Sequence, residues 1–305
     1  MIRKRHACRV DGVLLLDKPR GPGSNAVLQH VRRLYQAERA GHTGTLDPLA
    51  SGLLPICFGE ATKFSGDLLD ADKGYVATIR LGQRTATGDA EVTILETRLV
   101  QVSRAHLEEV LAGFRGEIDQ TPPMFSALKL AGRPLYELAR KGETVERRPR
   151  RVRILRLDLS WFEGQEFAIY VRCSKGTYVR TLAEDIGTRL GCGGHLSNLH
   201  RVEIGSLDVG AAATVDALDA MSAEERQGRL LPADILVRSL SRIDLTDTDA
   251  IRFCRGQGIA LPGNVGGLQQ ATGRIRVYGA EDRFLGVADL GTDAVLSPHR
   301  LLRST

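Results

Sequence analysis

The chain has 305 residues, 42% of them hydrophobic, which is enough for one large core and a small satellite domain. Its formal charge of +5 and pI near 9.1 are compatible with a nucleic-acid partner without demanding one. Five scattered cysteines (Cys8, Cys57, Cys173, Cys192, Cys254) with no CxxC pair exclude a disulfide framework and point to a reducing cytoplasm. The opening "MIRKRHACRVDGVLLLD" starts as a signal peptide would, but Asp11 and Asp17 bracket an apolar run too short for one. No stretch is long enough to span a membrane.

In chain order, "SNAVLQHVRRLYQ" (24–36) spaces Val27, Val31 and Leu34 for a helix, with Ser24 or Asn25 as N-cap. "GYVATIRLG" (74–82) alternates, placing Tyr75, Ala77, Ile79 and Leu81 on one face of a strand. Residues 124–153 carry nine Lys/Arg against three Glu, a net +6 that leaves the remainder of the chain at −1. An Arg cluster as dense as "RRPRRVR" repels itself without an anionic partner, which favours RNA or DNA contact over a merely solvated face. The abundance of arginine itself, 35 against 7 lysines, is equally explained by base composition.

"EFAIYVRCSKGTYVRTLAEDIGTRLGCG" (166–193) reads as strand, turn and helix. Phe167, Ile169, Val171 and Cys173 share the strand face, Val179, Leu182, Ala183, Ile186 and Leu190 form the helical stripe, and Gly191 marks the helix end. Cys192-Gly-Gly-His195 is half a zinc site without a second pair, better read as a glycine-rich turn. Residues 211–242 read as Ala-rich helices closing the main domain. From about 243 a short helix and strands "RIRVYG", "FLGVADL" and "AVLSPHRLL" predict a small, mostly β module. The elements alternate without βαβ spacing, so the expected class is α+β with a mixed, largely antiparallel sheet.

The chemistry gathers at "AGHTGTLDPLASGLLP" (40–55), where three glycines, two prolines and a histidine surround Asp47. Pro48 pushes Asp47 towards an extended backbone, and such a loop presents a carboxylate rigidly as nucleophile or base. The same residues also suit an aspartate capping a turn, and "GHTGT" lacks the lysine of a phosphate loop. A guanidinium would orient and ionise this acid. Arg180, off the buried stripe at the start of its helix and beside Tyr178, is a candidate, although a surface arginine reads identically.

The motifs "GVLLLDKPRGPGSN", "RAGHTGTLDPLASGLLPICFGEATKF", "KGYVATIRLGQRTATGDAEV", "PPMFSALKLAGRPLYELARKG" and "RCSKGTYVRTLAEDIG", in this order, closely resemble the TruB family of pseudouridine synthases, which modify tRNA. The resemblance implies a pseudouridine synthase fold over 1–242, in which 124–153 is a basic thumb, and a PUA-like RNA-binding domain over 243–305. It implies that Asp47 is the essential acid, Tyr75 the ring that stacks on the target base and assists proton removal, and Arg180 the partner of the catalytic carboxylate. By the same resemblance Tyr178 and Leu199 line the pocket, His42 enters the tRNA T-loop where the uridine leaves, and Lys18 and Pro19 support the floor of the site. Phe125 departs from the tyrosine common in relatives, keeping a ring and losing a hydroxyl.

The implied activity is conversion of uridine 55 in the T-loop of tRNA to pseudouridine on a flipped-out base. Arg147, Arg148, Arg150 and Arg151 are expected to hold tRNA phosphates. No metal or organic cofactor, membrane, guide RNA or obligatory protein partner is expected. A guide-dependent synthase subunit is the alternative; such relatives tend to have an N-terminal extension, whereas "LLLDKP" here starts within the first twenty residues. A tRNA-binding folding factor is a third reading, from outside the enzymes.

Overall fold

The computed structural model describes residues 9–90, 93–126, 128–130, 132–261 and 273–303; Cys8 lies outside them. The chain begins with β1 (Gly12–Lys18) and α1 (Ser24–Leu34), and β2 (Ala40–His42) and β3 (Ala50–Phe58) flank the Asp47 loop. After α2 (Ser65–Asp70) and β4 (Lys73–Leu81) comes a hairpin of β5 (Gln83–Thr85) and β6 (Ile94–Thr97), then α3 (Arg104–Ala112) and β7 (Gly116–Gln120). The basic segment holds β8 (Lys129–Leu130), β9 (Arg133–Pro134) and α4 (Leu135–Arg140), and runs into β10 (Arg150–Glu163). β11 (Glu166–Cys173), α5 (Val179–Arg189) and β12 (Gly194–Ile204) follow, then β13 (Leu207–Asp208), β14 (Ala213–Thr214), α6 (Val215–Ala220) and α7 (Ala223–Gln227). The last elements are β15 (Ser241–Asp244), α8 (Asp247–Cys254), β16 (Ile259–Ala260), β17 (Gly273–Tyr278), β18 (Phe284–Leu290) and β19 (Val295–Leu301).

Ten strands make one sheet in the order β14-β1-β3-β12-β4-β11-β10-β7, with β2 beside β3 and β13 beside β12. The β1–β14 and β3–β12 pairs are parallel and the others antiparallel, so the sheet is mixed and largely antiparallel, as expected. β1 is apolar at four successive positions because both of its faces are buried. Leu14 and Leu16 enter the large core under α1, α3 and α5, whereas Val13 and Leu15 enter a second core with Phe64 and Leu236. The alternating residues of β4 and β11 fall on the large-core face. Gly191 follows the α5 C-cap Leu190 with φ +79°, the left-handed turn a helix end favours.

The C-terminal strands form a separate five-stranded sheet, β15-β17-β18-β19-β16, around Phe253, Val277 and Leu296. Its Tyr278 and Phe284 pack into the second core of the main unit. Phe284 meets Phe64 edge-on at 5.2 Å, and the Tyr278 hydroxyl donates to Asp234 at 2.7 Å. Among the described residues no helix is long and apolar enough to cross a membrane.

One expectation is corrected here. The N-cap of α1 is Gly23, because Ser24 is recruited elsewhere: its buried hydroxyl donates to the Leu46 carbonyl and accepts from the Leu46 amide, both at 2.8 Å. Capping is a local preference, and a buried backbone pair needing two partners overrides it.

The middle of the sheet positions the functional residues. β3 and β12 pair Ala50 with Leu199 and Gly52 with Arg201, and β12 and β4 pair Leu199 with Ala77 and Arg201 with Tyr75. Gly52 has φ +103°, and any Cβ there would collide with the Arg201 backbone. Gly52→Ala should therefore prise β3 from β12 and lower stability by about 3 kcal/mol in urea unfolding. An unchanged unfolding midpoint would show that this close approach does not hold the sheet.

Candidate active site

Asp47 lies between β2 and β3 on a loop tied down from several sides. Its own carbonyl accepts from the Ala50 amide at 3.1 Å, and the Pro48 carbonyl accepts from the Gly21 amide at 2.8 Å. The Ser24 clamp holds the preceding residue, Leu46, while Arg201 Nη2 donates to the Gly44 carbonyl at 2.9 Å. Lys18 is wholly buried, and its ammonium donates to the Ala50 carbonyl at 2.6 Å and the Pro19 carbonyl at 2.9 Å. It acts beneath the loop, whereas Pro19 itself is exposed. A loop with this many backbone anchors presents Asp47 in one orientation.

Opposite stands Arg180, delivered by the strand–turn–helix of β11 and α5. The turn closes with Thr177 Oγ1 donating to the Ser174 carbonyl at 2.9 Å, and the Gln120 side chain clips Tyr178, accepting from its amide at 2.7 Å and donating to its carbonyl at 3.0 Å. α5 then starts at Val179, which aims Arg180 inward. Arg180 Nη2 lies 2.9 Å from Asp47 Oδ2 and donates to the Phe125 carbonyl at 2.6 Å. Nη1 donates to the Thr87 carbonyl at 3.1 Å and lies 3.6 Å from Asp89 Oδ2.

Of the two readings of Arg180, the surface one fails: its side chain is only 7% exposed, because two carbonyls and two carboxylates compensate the buried charge. A second acid joins Asp47. Asp89, 8% exposed and accepting from Thr87 Oγ1 at 2.7 Å, shares the same guanidinium. Asp47, at 46% exposure, is the open member of the trio, and its Oδ1 takes no hydrogen bond among the described residues.

Asp47, Tyr75, Tyr178, Val179, Arg180 and Leu199 line a cavity of about 190 Å³, together with Ser126 at the start of the basic segment. That is smaller than the roughly 300–1,000 Å³ of ordinary small-molecule pockets and suits one planar ring. Burial pushes the phenols of both Tyr75 and Tyr178 up from their ordinary value. Both therefore stay protonated at neutral pH, offering aromatic faces and O–H donors. The arrangement can hold a ring by stacking and bring an oriented carboxylate oxygen against it.

The remaining predicted residues lie around this cavity. His42, on β2, is not in its wall; burial and the nearby Arg201 push the imidazole pKa down, so it presents a neutral ring, better suited to stacking than to phosphate. Arg147 is half-buried and donates to the Pro122 carbonyl at 3.0 Å, while Arg148 and Arg150 are exposed. Arg151 faces Glu117 and Asp119 of β7 at 3.7 and 3.6 Å. Arg151 therefore has counter-charges within the chain, whereas Arg148 and Arg150 are exposed without an ion pair among the described residues. At 70% exposure Arg151 keeps most of its surface available. Cys192 and His195 are both buried, with His195 Nδ1 at 3.1 Å from the Gln83 carbonyl, and no metal-binding group occurs among the described residues.

Sequence reasoning missed Asp89, Gln120 and Arg201. Asp89 sits in "TGDA" after a strand, where Gly88 takes φ +75° against Glu184. Arg201 ends "LSNLHR" two positions after Leu199, on the same strand face, and that alternation was a usable signal.

Residues 32–179 match the TruB family pseudouridylate synthase N-terminal domain, 180–238 the tRNA pseudouridylate synthase B C-terminal domain, and 241–302 a TruB pseudouridine synthase II C-terminal domain. The chain is 55% identical to tRNA pseudouridine synthase B of Burkholderia mallei, over 98% of this chain and 97% of that one. It is 50% identical to the protein of the same name from Dechloromonas aromatica, over 98% of both. Among solved structures, a Cbf5-Nop10-Gar1 complex aligns with a TM-score of 0.75 and 26% identity, over 95% of this chain and 84% of that one. Fold, motifs and near-full-length identity agree, and the chain belongs to the TruB family of pseudouridylate synthases.

Proposed function

We propose that this protein isomerises uridine 55 in the T-loop of tRNA to pseudouridine, with Asp47 as nucleophile on a flipped-out base and with neither guide RNA nor an obligatory protein partner. The observation that carries the reading is the Asp47–Arg180 ion pair, 2.9 Å long, at the wall of a cavity sized for one base. The names of the relatives, tRNA pseudouridine synthase B, supply the substrate class.

The reaction breaks the N1–C1′ bond and makes a C5–C1′ bond; a proton leaves C5 and one is gained at N1, so composition is unchanged. A stacked base shields C5, and flipping it out costs a few kcal/mol, less in a loop than in a duplex. In the cavity, Tyr75 and Tyr178 replace the lost stacking and Leu199 closes the apolar side. Asp47 Oδ1 is the free attacking oxygen, and the same oxygen serves attack at C1′, attack at C6, or assisted departure of the base. Arg180 holds the other oxygen, and Asp89 fixes Arg180. The unit over 1–242 does the chemistry, and the sheet unit over 243–305 acts as a PUA-like RNA contact. A reduced-thiol chain acting on tRNA fits a cytoplasmic setting.

Modification of an unmodified tRNA transcript by the purified protein alone tests this reading. Carbodiimide mapping should find one pseudouridine, at T-loop position 55. Modification only after addition of guide RNA or partner proteins would favour the guide-dependent reading, and tRNA binding without modification the folding-factor reading. Arg148 and Arg150 should meet phosphates directly, with Arg147 and Arg151 beside them. Replacing all four by Gln should weaken tRNA binding and reduce the slope of log affinity against log salt by about 0.7 for each phosphate no longer neutralised. An unchanged slope would return the cluster to an ordinary solvated face.

A further inference from the structure

Arg201 is an unusual residue for the middle of a sheet. Its side chain is among the largest fully buried ones, and the residue is only 2% exposed. Among the described residues no carboxylate lies within ion-pair distance of it. Its guanidinium instead donates from Nε to the Leu53 carbonyl at 2.8 Å and from Nη2 to the Gly44 carbonyl at 2.9 Å, and Tyr75 is its neighbour across the β12–β4 pairing. A buried cation without an anion is costly, and an apolar side chain would fill the same space more stably.

Its three neighbours explain why the charge is there. Leu53 belongs to β3, Gly44 belongs to the loop that carries Asp47, and Tyr75 stands directly across the β12–β4 pairing. We propose that Arg201 is a positioning residue for the reaction, joining the Asp47 loop and the Tyr75 phenol through one buried guanidinium so that both face the cavity at a fixed separation. This rests on the reading of the cavity as the pseudouridylation site.

The chemistry follows from donors and acceptors. A guanidinium only donates, so the phenol can meet Arg201 only through its oxygen lone pairs. The cation also stabilises negative charge on that oxygen, opposing the upward push of burial on the phenol. The other titratable groups facing Tyr75 are Asp47, from the loop, and Cys173, from β11, and both push it upward. Among the described residues Arg201 is the cation that counters them. Arg180 orients Asp47 from above, and Arg201 sets the loop and the phenol from below.

The test is a double-mutant cycle on single-turnover tritium release from tRNA carrying uridine tritiated at C5, using wild type, Tyr75→Phe, Arg201→Met and the double variant. Acting through Tyr75, Arg201→Met should slow release by roughly a hundredfold and leave tRNA affinity within about threefold. The double variant should then be no slower than the slower single variant. Additive losses, or a matching loss of affinity, would overturn the proposal. A wild type that releases no tritium rejects the function itself, whereas an active wild type with an additive cycle rejects only the role of Arg201.

If Arg201→Met does not fold, Arg201→Gln, which keeps an amide donor, takes its place in the cycle. With fluorotyrosine at position 75, Arg201→Gln should also move the fluorine NMR titration of the phenol to higher pH. An unmoved titration would show that the guanidinium does not act on the phenol.

Discussion

The site depends on the buried guanidinium of Arg180. Taking that charge out of water costs several kcal/mol, and only a full set of acceptors offsets it. The fold supplies the set from three separate segments: the Asp47 loop, the Thr87–Asp89 turn and Phe125 at the start of the basic segment. Because each is needed to satisfy one cation, the guanidinium draws them together. The cavity is the space left where they meet the sheet. Asp89 is only 8% exposed and its charge balances Arg180, which leaves Asp47 half-exposed with one oxygen free.

The sheet provides the other half of the constraint. Side chains alternate across a strand, so the registers of β3, β12 and β4 bring Ala50, Leu199 and Tyr75 to the cavity side. Gly52 permits the close approach of β3 to β12, and Arg201 fills the space beneath. Two arginines thus act at different levels, one on the acid and one on the phenol and the loop. Both are buried, whereas Arg148 and Arg150 of the basic segment are exposed. Buried charge at the cavity and exposed charge on the basic segment are separate, so the two can be altered independently.

Much of this is legible in the residues, and the failures share a cause. Period-two alternation gave the buried faces of β4 and β11, and the strand–turn–helix around Tyr178 and Arg180 followed from apolar spacing and glycine placement. Three strands of the five-stranded C-terminal sheet, β17, β18 and β19, are legible as short strands between glycines and aspartates, whereas β15 and β16 are not. Periodicity says nothing of what meets across the chain. Ser24 reads as a cap and is instead a tertiary clamp on Leu46; Arg180 reads equally as a partner of Asp47 or a surface arginine, and distant acceptors decide for the first; Arg151 reads as part of an unbalanced cluster and has Glu117 and Asp119 across the sheet. Asp89 lies on a turn with no period, and its importance comes from a single long-range partner.

The central claim is that Asp47 is the reacting group and not merely a loop anchor, since its backbone carbonyl already does the anchoring. Single-turnover tritium release and tRNA affinity, measured together for wild type and Asp47→Asn without cofactor or partner, test it most directly. Release by the wild type alone is the predicted result, with both proteins binding tRNA to within a few-fold. Release by Asp47→Asn at a comparable rate, or a collapse of its tRNA binding to match its lost turnover, would contradict it.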